Sequence, residues 1–452
     1  MFETIATVAA PVQAEAADLV GRWEGALRVG EASIPLVIRV AEGPDGLLAM
    51  MDSPAQGARD IPVSGLTEAS GIVRFAVPVA GGRFEGARSA DGSTWTGTWS
   101  QGPGALPLIL TRTATTAEVA PPAPPNRPQT PVPPFPYVAE EVTFRNGAIT
   151  LAGTLTLPAG EGPFPAVILL TGSGAQDRDE TIVGHKAFAV WADALTRRGV
   201  AVLRYDDRGM GGSSGGSIDD TTADFAADAG AAMDFLRGRP EIDPARIGLM
   251  GHSEGGSTAL IATSNGAQAA FVVMIAGPSV SGADILTGQS RAIVLASGGT
   301  EAQAAEAEAT QARFMLAVLN NRDDGPAAEG AVEALAIEIG QPAAQAAGVA
   351  RIMSSGWYRY FTAYDPAAAI RALHVPMLAI YADRDRNVPA DQNAAHLAQL
   401  KPDAEIIVLP GLNHLMQHAT TGLPNEYATI TETLAPEAIA TVTDWIVKVT
   451  TH

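Results

Sequence analysis

Between residues 19 and 112 apolar side chains recur at every second position. Ile34, Leu36, Ile38 and Val40 share one face of a run, and Trp95, Gly97 and Trp99 share a face of another. Turn-forming Gly43-Pro44-Asp45-Gly46 and Ala90-Asp91-Gly92 separate such runs at short intervals. The pattern predicts an all-β unit of seven or eight short strands, enough for a small closed barrel or sandwich. Its few ionisable groups show no acid/base or metal spacing, so an accessory or substrate-positioning domain is expected.

Residues 113–139 break the alternation with Pro121, Pro122, Pro124, Pro125, Pro128, Pro131, Pro133, Pro134 and Pro136. Proline lacks the N–H that a ladder or helix needs, and this stretch reads as a semi-rigid linker. Beyond it the grammar changes. Residues 142–157 alternate as a hairpin around Asn146-Gly147, and apolar strands over 166–170, 200–205, 247–250, 271–276, 377–381 and 406–409 follow. Helical periods lie among them, with Phe188, Trp191, Ala192 and Leu195 on one face and Phe225, Ala229, Ala232, Met233 and Leu236 on another. Strands joined by crossover helices predict an α/β domain over 140–452, built on a mostly parallel sheet covered on both faces. Ligands of such a sheet sit beyond the carboxyl ends of its strands. An alanine-rich stretch of helical period over about 277–366 carries no strand and is expected to form a helical cap.

Composition narrows the function classes. A formal net charge of -20 opposes binding to nucleic acid or anionic lipid, which clustered lysine and arginine hold. No apolar run is long enough to cross a bilayer. With no cysteine, thiol nucleophiles, disulfides and thiolate metal sites are excluded. The first 18 residues pair a short apolar stretch with Ala14-Glu15-Ala16 but lack a basic start. They read as a signal-peptide remnant, with a periplasmic or secreted location expected and a cytoplasmic one as the alternative.

The chemistry must then rest on other groups. Gly251-His252-Ser253-Glu254-Gly255-Gly256 directly follows a predicted strand and precedes a helix-competent run. A serine lifted above a sheet on a sharp strand-to-helix turn needs small neighbours, which makes Ser253 the candidate nucleophile. Gly211-Gly212-Ser213-Ser214-Gly215 matches the same Gly-x-Ser-x-Gly spacing but has no strand or helix abutting it, so Ser213 is set aside. A serine hydroxyl needs a base and a group to orient that base. His414, just past the last predicted strand, is the candidate base. Asp385, in the loop after the strand over 377–381, is the candidate acid, with Asp383 as the alternative. His414 with His418 as a metal pair is the rival reading, but it lacks a third ligand. His252 is expected to hydrogen-bond within the elbow. The two oxyanion donors are expected to be the backbone N–H groups of Glu254 and of Ser173 in Thr171-Gly172-Ser173-Gly174. Gly172, Trp357, Tyr358 and Phe361 are candidate pocket residues.

These motifs, together with Ala175-Gln176-Asp177-Arg178-Asp179 and Tyr205-Asp206-Asp207-Arg208-Gly209, resemble bacterial carboxylesterases and serine-aminopeptidase-like members of the α/β-hydrolase superfamily. The resemblance covers residues 140–452, and it departs from many esterases in having Thr171 where they carry a histidine. It implies an α/β-hydrolase fold and cleavage of a small-molecule carboxylic ester of short to medium acyl chain through an acyl-enzyme, with no cofactor and no metal. Asp206 and Arg208 would brace the neighbouring loop. A serine peptidase or amidase is the alternative, and an envelope carbohydrate-binding protein with a vestigial hydrolase domain is a second.

Overall fold

The computed structural model describes residues 19–29, 32–43, 46–53, 58–77, 82–101, 104–114 and 126–451. The expected signal-peptide remnant lies outside them. The chain divides into two compact units, one of residues Met1–Pro124 with Ala336–Val349, the other of Pro125–Leu335 with Ala350–His452.

In the first unit eight strands, β1 (Gly21–Val29), β2 (Ala32–Gly43), β3 (Gly46–Ser53), β4 (Ala58–Ala69), β5 (Ile72–Val77), β6 (Gly82–Arg88), β7 (Thr94–Gln101) and β8 (Gly104–Ala114), pair in chain order. Antiparallel pairing of β1 with β8 closes the barrel. Closure removes both sheet edges, and the period-two pattern has an inside to fill. Trp23, Ile38, Val40, Phe75, Phe84, Trp95, Trp99 and Leu110 fill it. Trp23 and Trp95 stack at 3.8 Å between ring centroids, and the Arg112 guanidinium lies over the Trp23 ring.

In the second unit, β9 (Val138–Asn146) and β10 (Ile149–Leu157) form the expected hairpin. The strands β11 (Phe164–Leu170), β14 (Ala201–Tyr205), β15 (Ile242–His252), β16 (Val272–Ile275), β17 (Met377–Ala382) and β18 (Glu405–Leu409) complete an eight-stranded sheet of order β18-β17-β16-β15-β11-β14-β10-β9. Everything from β14 to β18 is parallel, and β9 and β10 are antiparallel. A two-stranded ribbon, β12 (Thr181–Ile182) with β13 (His185–Lys186), stands apart from it.

The central parallel strands β11 and β17 are buried on both faces, which is why 166–170 and 377–381 read as unbroken apolar runs. One face packs on α1 (Ala187–Thr196) and α11 (Pro436–Thr450) through Phe188, Trp191, Leu195, Val442, Trp445 and Ile446. The other packs on α2 (Thr222–Arg237) and α3 (Glu254–Ser264) through Ala229, Met233, Leu236 and Leu260. The cap stretch forms α4 (Gly282–Ala296), α5 (Glu301–Leu319), α6 (Gly325–Glu338), α7 (Ala343–Met353) and α8 (Gly356–Ala363). Two short helices, α9 (Ala367–Ala372) and α10 (Ala390–Leu400), flank β17.

The linker is narrower than the 113–139 expected. β8 runs to Ala114, residues 115–125 lie outside the described residues, and residues 126–137 are already fixed to the second unit. A proline-rich segment is short of N–H donors, so its side chains do the fixing. Arg127 donates to the carbonyls of Val183, Ala428 and Ile430. Gln129 donates to Leu434 O and accepts from Thr433 N–H and Leu434 N–H, and Tyr137 donates to Asp193.

Candidate active site

Ser253 sits between β15 and α3 with φ 53° and ψ −123°, in the left-handed region that costs a side-chain-bearing residue about 1–3 kcal/mol. Gly251 and Gly255 make the turn possible. A Cβ on Gly251 would overlap the Gly255 carbonyl, and one on Gly255 would overlap the Leu170 carbonyl. The Ser253 N–H donates to Ile275 O at 2.8 Å, tying the elbow to the neighbouring strand. The second Gly-x-Ser-x-Gly match is structural. Ser213 Oγ donates to Asp206 O and accepts from Ala152 N–H, locking its loop onto β10.

The loops after β17 and β18 bring Asp385 and His414 together. Asp385 Oδ2 accepts from His414 Nδ1 at 2.8 Å, and Asp385 Oδ1 accepts from the N–H groups of Asn387 and Val388. Both side chains are buried. The Asp383 carboxylate instead accepts from Gly411 N–H and braces the histidine loop. The Ser253 hydroxyl makes no hydrogen bond among the described residues. Such contacts commonly tighten only when substrate binds. The His418 ring nitrogens are engaged at the surface by Glu432 and Glu437. Among the described residues no cluster of three or more His, Asp or Glu side chains is arranged to hold a metal ion.

Two consecutive residues of the loop after β11 are each held by a different buried acid. Thr171 Oγ1 donates to Asp207, and Gly172 N–H donates to Glu180 at 2.8 Å. Gly172 N–H, engaged by Glu180, is not available to a substrate oxygen. Burial drives the Asp207 carboxyl up to about 7, against hydrogen bonds from Gln176 N–H and Thr171 and with the charges of Glu180 and Asp228 adding to the rise. Burial also raises Glu254, against hydrogen bonds from Thr222 and Trp357. An enclosed gap of about 10 Å³, room for one water, lies between Thr171, Gly172, Asp207 and Glu254.

His252 differs from expectation. It does not bond within the elbow, because its ring lies between two other loops: Nδ1 is 2.8 Å from Glu180 Oε1 and Nε2 is 3.0 Å from His414 O. Glu180 and Asp207 carried no mark in the sequence that set them apart from neighbouring acids.

A cleft of about 380 Å³ opens beside the loop, lined by Gly174, Ala175, Ile218, Phe225 and Trp357 among others. The Trp357 indole N–H donates to both Glu254 oxygens at 3.0 Å. Tyr358 and Phe361 do not line this cleft, contrary to expectation. Helical spacing turns them into the cap, where Phe361 stacks on Trp357 at 5.6 Å and Tyr358 meets Trp357 edge-on at 5.8 Å between ring centroids. Gly172 lines the enclosed gap rather than the cleft. Asp206 pairs with Arg178, and Arg208 pairs with Asp228, Asp220 and Asp224, bracing the adjoining loops.

A parallel sheet with a serine elbow after its fifth strand and an acid and a histidine after the last two defines an α/β hydrolase. The model of the X-Pro dipeptidyl-peptidase (S15) family matches residues 146–416, and the chain belongs to that family. Esterase EstD of Thermotoga maritima is 32% identical over 278 residues, which are 59% of this chain and 58% of that esterase. The uncharacterized protein PA2218 of Pseudomonas aeruginosa is 34% identical over 128 residues, 26% of this chain and 32% of its own. The chain thus spans less than two thirds of these relatives' lengths. The solved structure of the Pyrococcus furiosus esterase Pf2001 superposes with a TM-score of 0.42 at 16% identity, covering 72% of this chain and 97% of that one. Among the described residues no helix is long and apolar enough to cross a membrane.

Proposed function

We propose that the chain is a serine carboxylesterase acting on short- to medium-chain esters through an acyl-enzyme. The observation that carries this reading is the buried His414–Asp385 contact of 2.8 Å beside a serine held at positive φ. Ser253 Oγ attacks the ester carbonyl while His414 Nε2 takes its proton, and Asp385 fixes the ring and stabilises the imidazolium. The Glu254 and Ser173 N–H groups receive the developing oxyanion, one such donor contributing about 3 kcal/mol. His414 then protonates the departing alkoxide, and water activated by the same ring releases the acid. The cleft beside Gly174 and Trp357 is within the size range of small-molecule sites, and its apolar wall suits an acyl or alkyl group.

The family's peptidase members suggest a second reading. A dipeptidyl-peptidase would need an acid free to hold a substrate ammonium. Glu254, the acid beside the serine, already receives Thr222 and Trp357. Turnover of p-nitrophenyl acetate, butyrate and octanoate is therefore expected to exceed that of aminoacyl- and X-Pro-anilides. Ser253→Ala should abolish it and also abolish labelling by a fluorophosphonate. Asp385→Asn should lower kcat on the order of 10⁴-fold. Preferential anilide turnover, or an active Ser253→Ala, refutes the esterase reading.

A further inference from the structure

The pair formed by Glu180 and His252 is not used by that mechanism, yet it is among the most deeply buried polar contacts of the unit. Glu180 is 1% exposed and His252 6%. Glu180 reaches inward because its backbone is held at φ 49°, at the end of the turn in which its N–H donates to Asp177 O. A non-glycine residue kept in that region is held there by its surroundings.

His414 O is a carbonyl and can only accept, so His252 Nε2 carries a proton. Glu180 Oε1 accepts from Gly172 N–H and lies 2.8 Å from His252 Nδ1, so a further proton is held between that oxygen and Nδ1. We propose that this proton resides on the ring, which makes the pair a charged positioning couple that holds the loop bearing Gly172 and Ser173 and the loop bearing His414 in register around Ser253, an inference that rests on the serine-hydrolase reading.

Three separate segments meet in it. Glu180 grips the loop after β11, His252 is the residue before the serine, and the His252 proton reaches the backbone of the base, whose ring centroid is 4.8 Å away. The ionisable groups around the ring are Glu180 from the turn before β12, Asp385 from the loop after β17 and His414 from the loop after β18. Burial alone would favour neutral His252. The Glu180 charge and hydrogen bond, the His414 carbonyl and the Asp385 charge outweigh it and raise its affinity for the proton.

The test combines a spectroscopic and a kinetic readout. In ¹⁵N-labelled Ser253→Ala protein at pH 8, the His252 ring should show two N–H protons, assigned by their loss in His252→Asn. A ring with one N–H at that pH overturns the proposal. Glu180→Gln should leave His252 neutral at pH 8 and lower kcat on p-nitrophenyl butyrate by about 10²-fold, with KM little changed. An unchanged kcat in Glu180→Gln also overturns it. The first readout needs neither turnover nor a foldable Glu180 variant, so a chain without esterase activity would refute the esterase reading while the charge state was still decided.

Discussion

Replacing Asp207 by asparagine tests whether the carboxyl behind the loop after β11 is neutral in the folded protein. Asp207 Oδ2 accepts from Thr171 Oγ1 at 2.8 Å and Gln176 N–H at 2.9 Å, and an amide oxygen can accept both. The folded protein raises this acid from its ordinary 3.8 to about 7, so the native state binds the proton more tightly than the unfolded chain does. Stability linked to that proton is complete below about pH 4 and is lost as the pH climbs towards 7. At about 1.4 kcal/mol per pH unit, the difference between 3.8 and about 7 corresponds to about 4 kcal/mol at full ionisation. The amide of the variant has no such proton to lose. Urea unfolding of both proteins from pH 5 to 8.5 should therefore show Asp207→Asn gaining on the wild type by about 1.4 kcal/mol per pH unit up to pH 7, then holding level. A difference that stays constant across the range, or one that moves in favour of the wild type as pH rises, would refute the argument that burial keeps this acid protonated.

Three further substitutions probe the geometry around the serine. In Gly172→Ala the new Cβ would lie 3.3 Å from Ser253 Cβ and 3.4 Å from Glu180 Oε1. Steady-state kinetics on p-nitrophenyl butyrate should show kcat reduced by about 10²-fold, with thermal stability nearly unchanged, because the crowding falls on the elbow and its loop rather than on the core. Gly255→Ala drives a Cβ into the Leu170 and Thr171 carbonyls, and calorimetry should find it destabilised by about 1–3 kcal/mol or left unfolded. Trp357→Phe keeps an aromatic wall on the cleft but removes the N–H that serves both Glu254 oxygens, and it should cost about 1–3 kcal/mol in urea unfolding. Wild-type stability in that variant would mean that Glu254 does not depend on the cap residue.

What the chain discloses in advance is what local periodicity and chain order encode. The eight barrel strands, the parallel core strands and the capping helices follow from the spacing of apolar residues. The joining of Asp385 to His414 follows from each standing after the right strand. What stayed hidden arises from contacts between segments far apart in sequence. Glu180 sits in a run of acids, Asp177, Asp179 and Glu180, whose members look alike on paper. Asp177 caps its own turn, accepting Asp179 N–H and Thr181 N–H, Asp179 pairs with Lys186 and Arg204, and Glu180 turns inward to Gly172 N–H and His252. Tyr358 and Phe361 misled for a related reason. An aromatic cluster at helical spacing has two faces, and the sequence does not say which one the cap buries. Arg127 and Gln129 show the same limit within a proline-rich stretch, where two side chains convert an apparent spacer into part of the second unit. The loop after β11 shows it most fully. Thr171, Gly172 and Ser173 were legible as a tight turn able to approach a substrate, but the acids that hold Thr171 and Gly172 come from the loop after β14 and from the turn before β12. A loop held by separate acids is preorganised before substrate arrives, which is the condition the proposed reaction sets for a backbone N–H of that loop to receive an oxyanion without reorganisation.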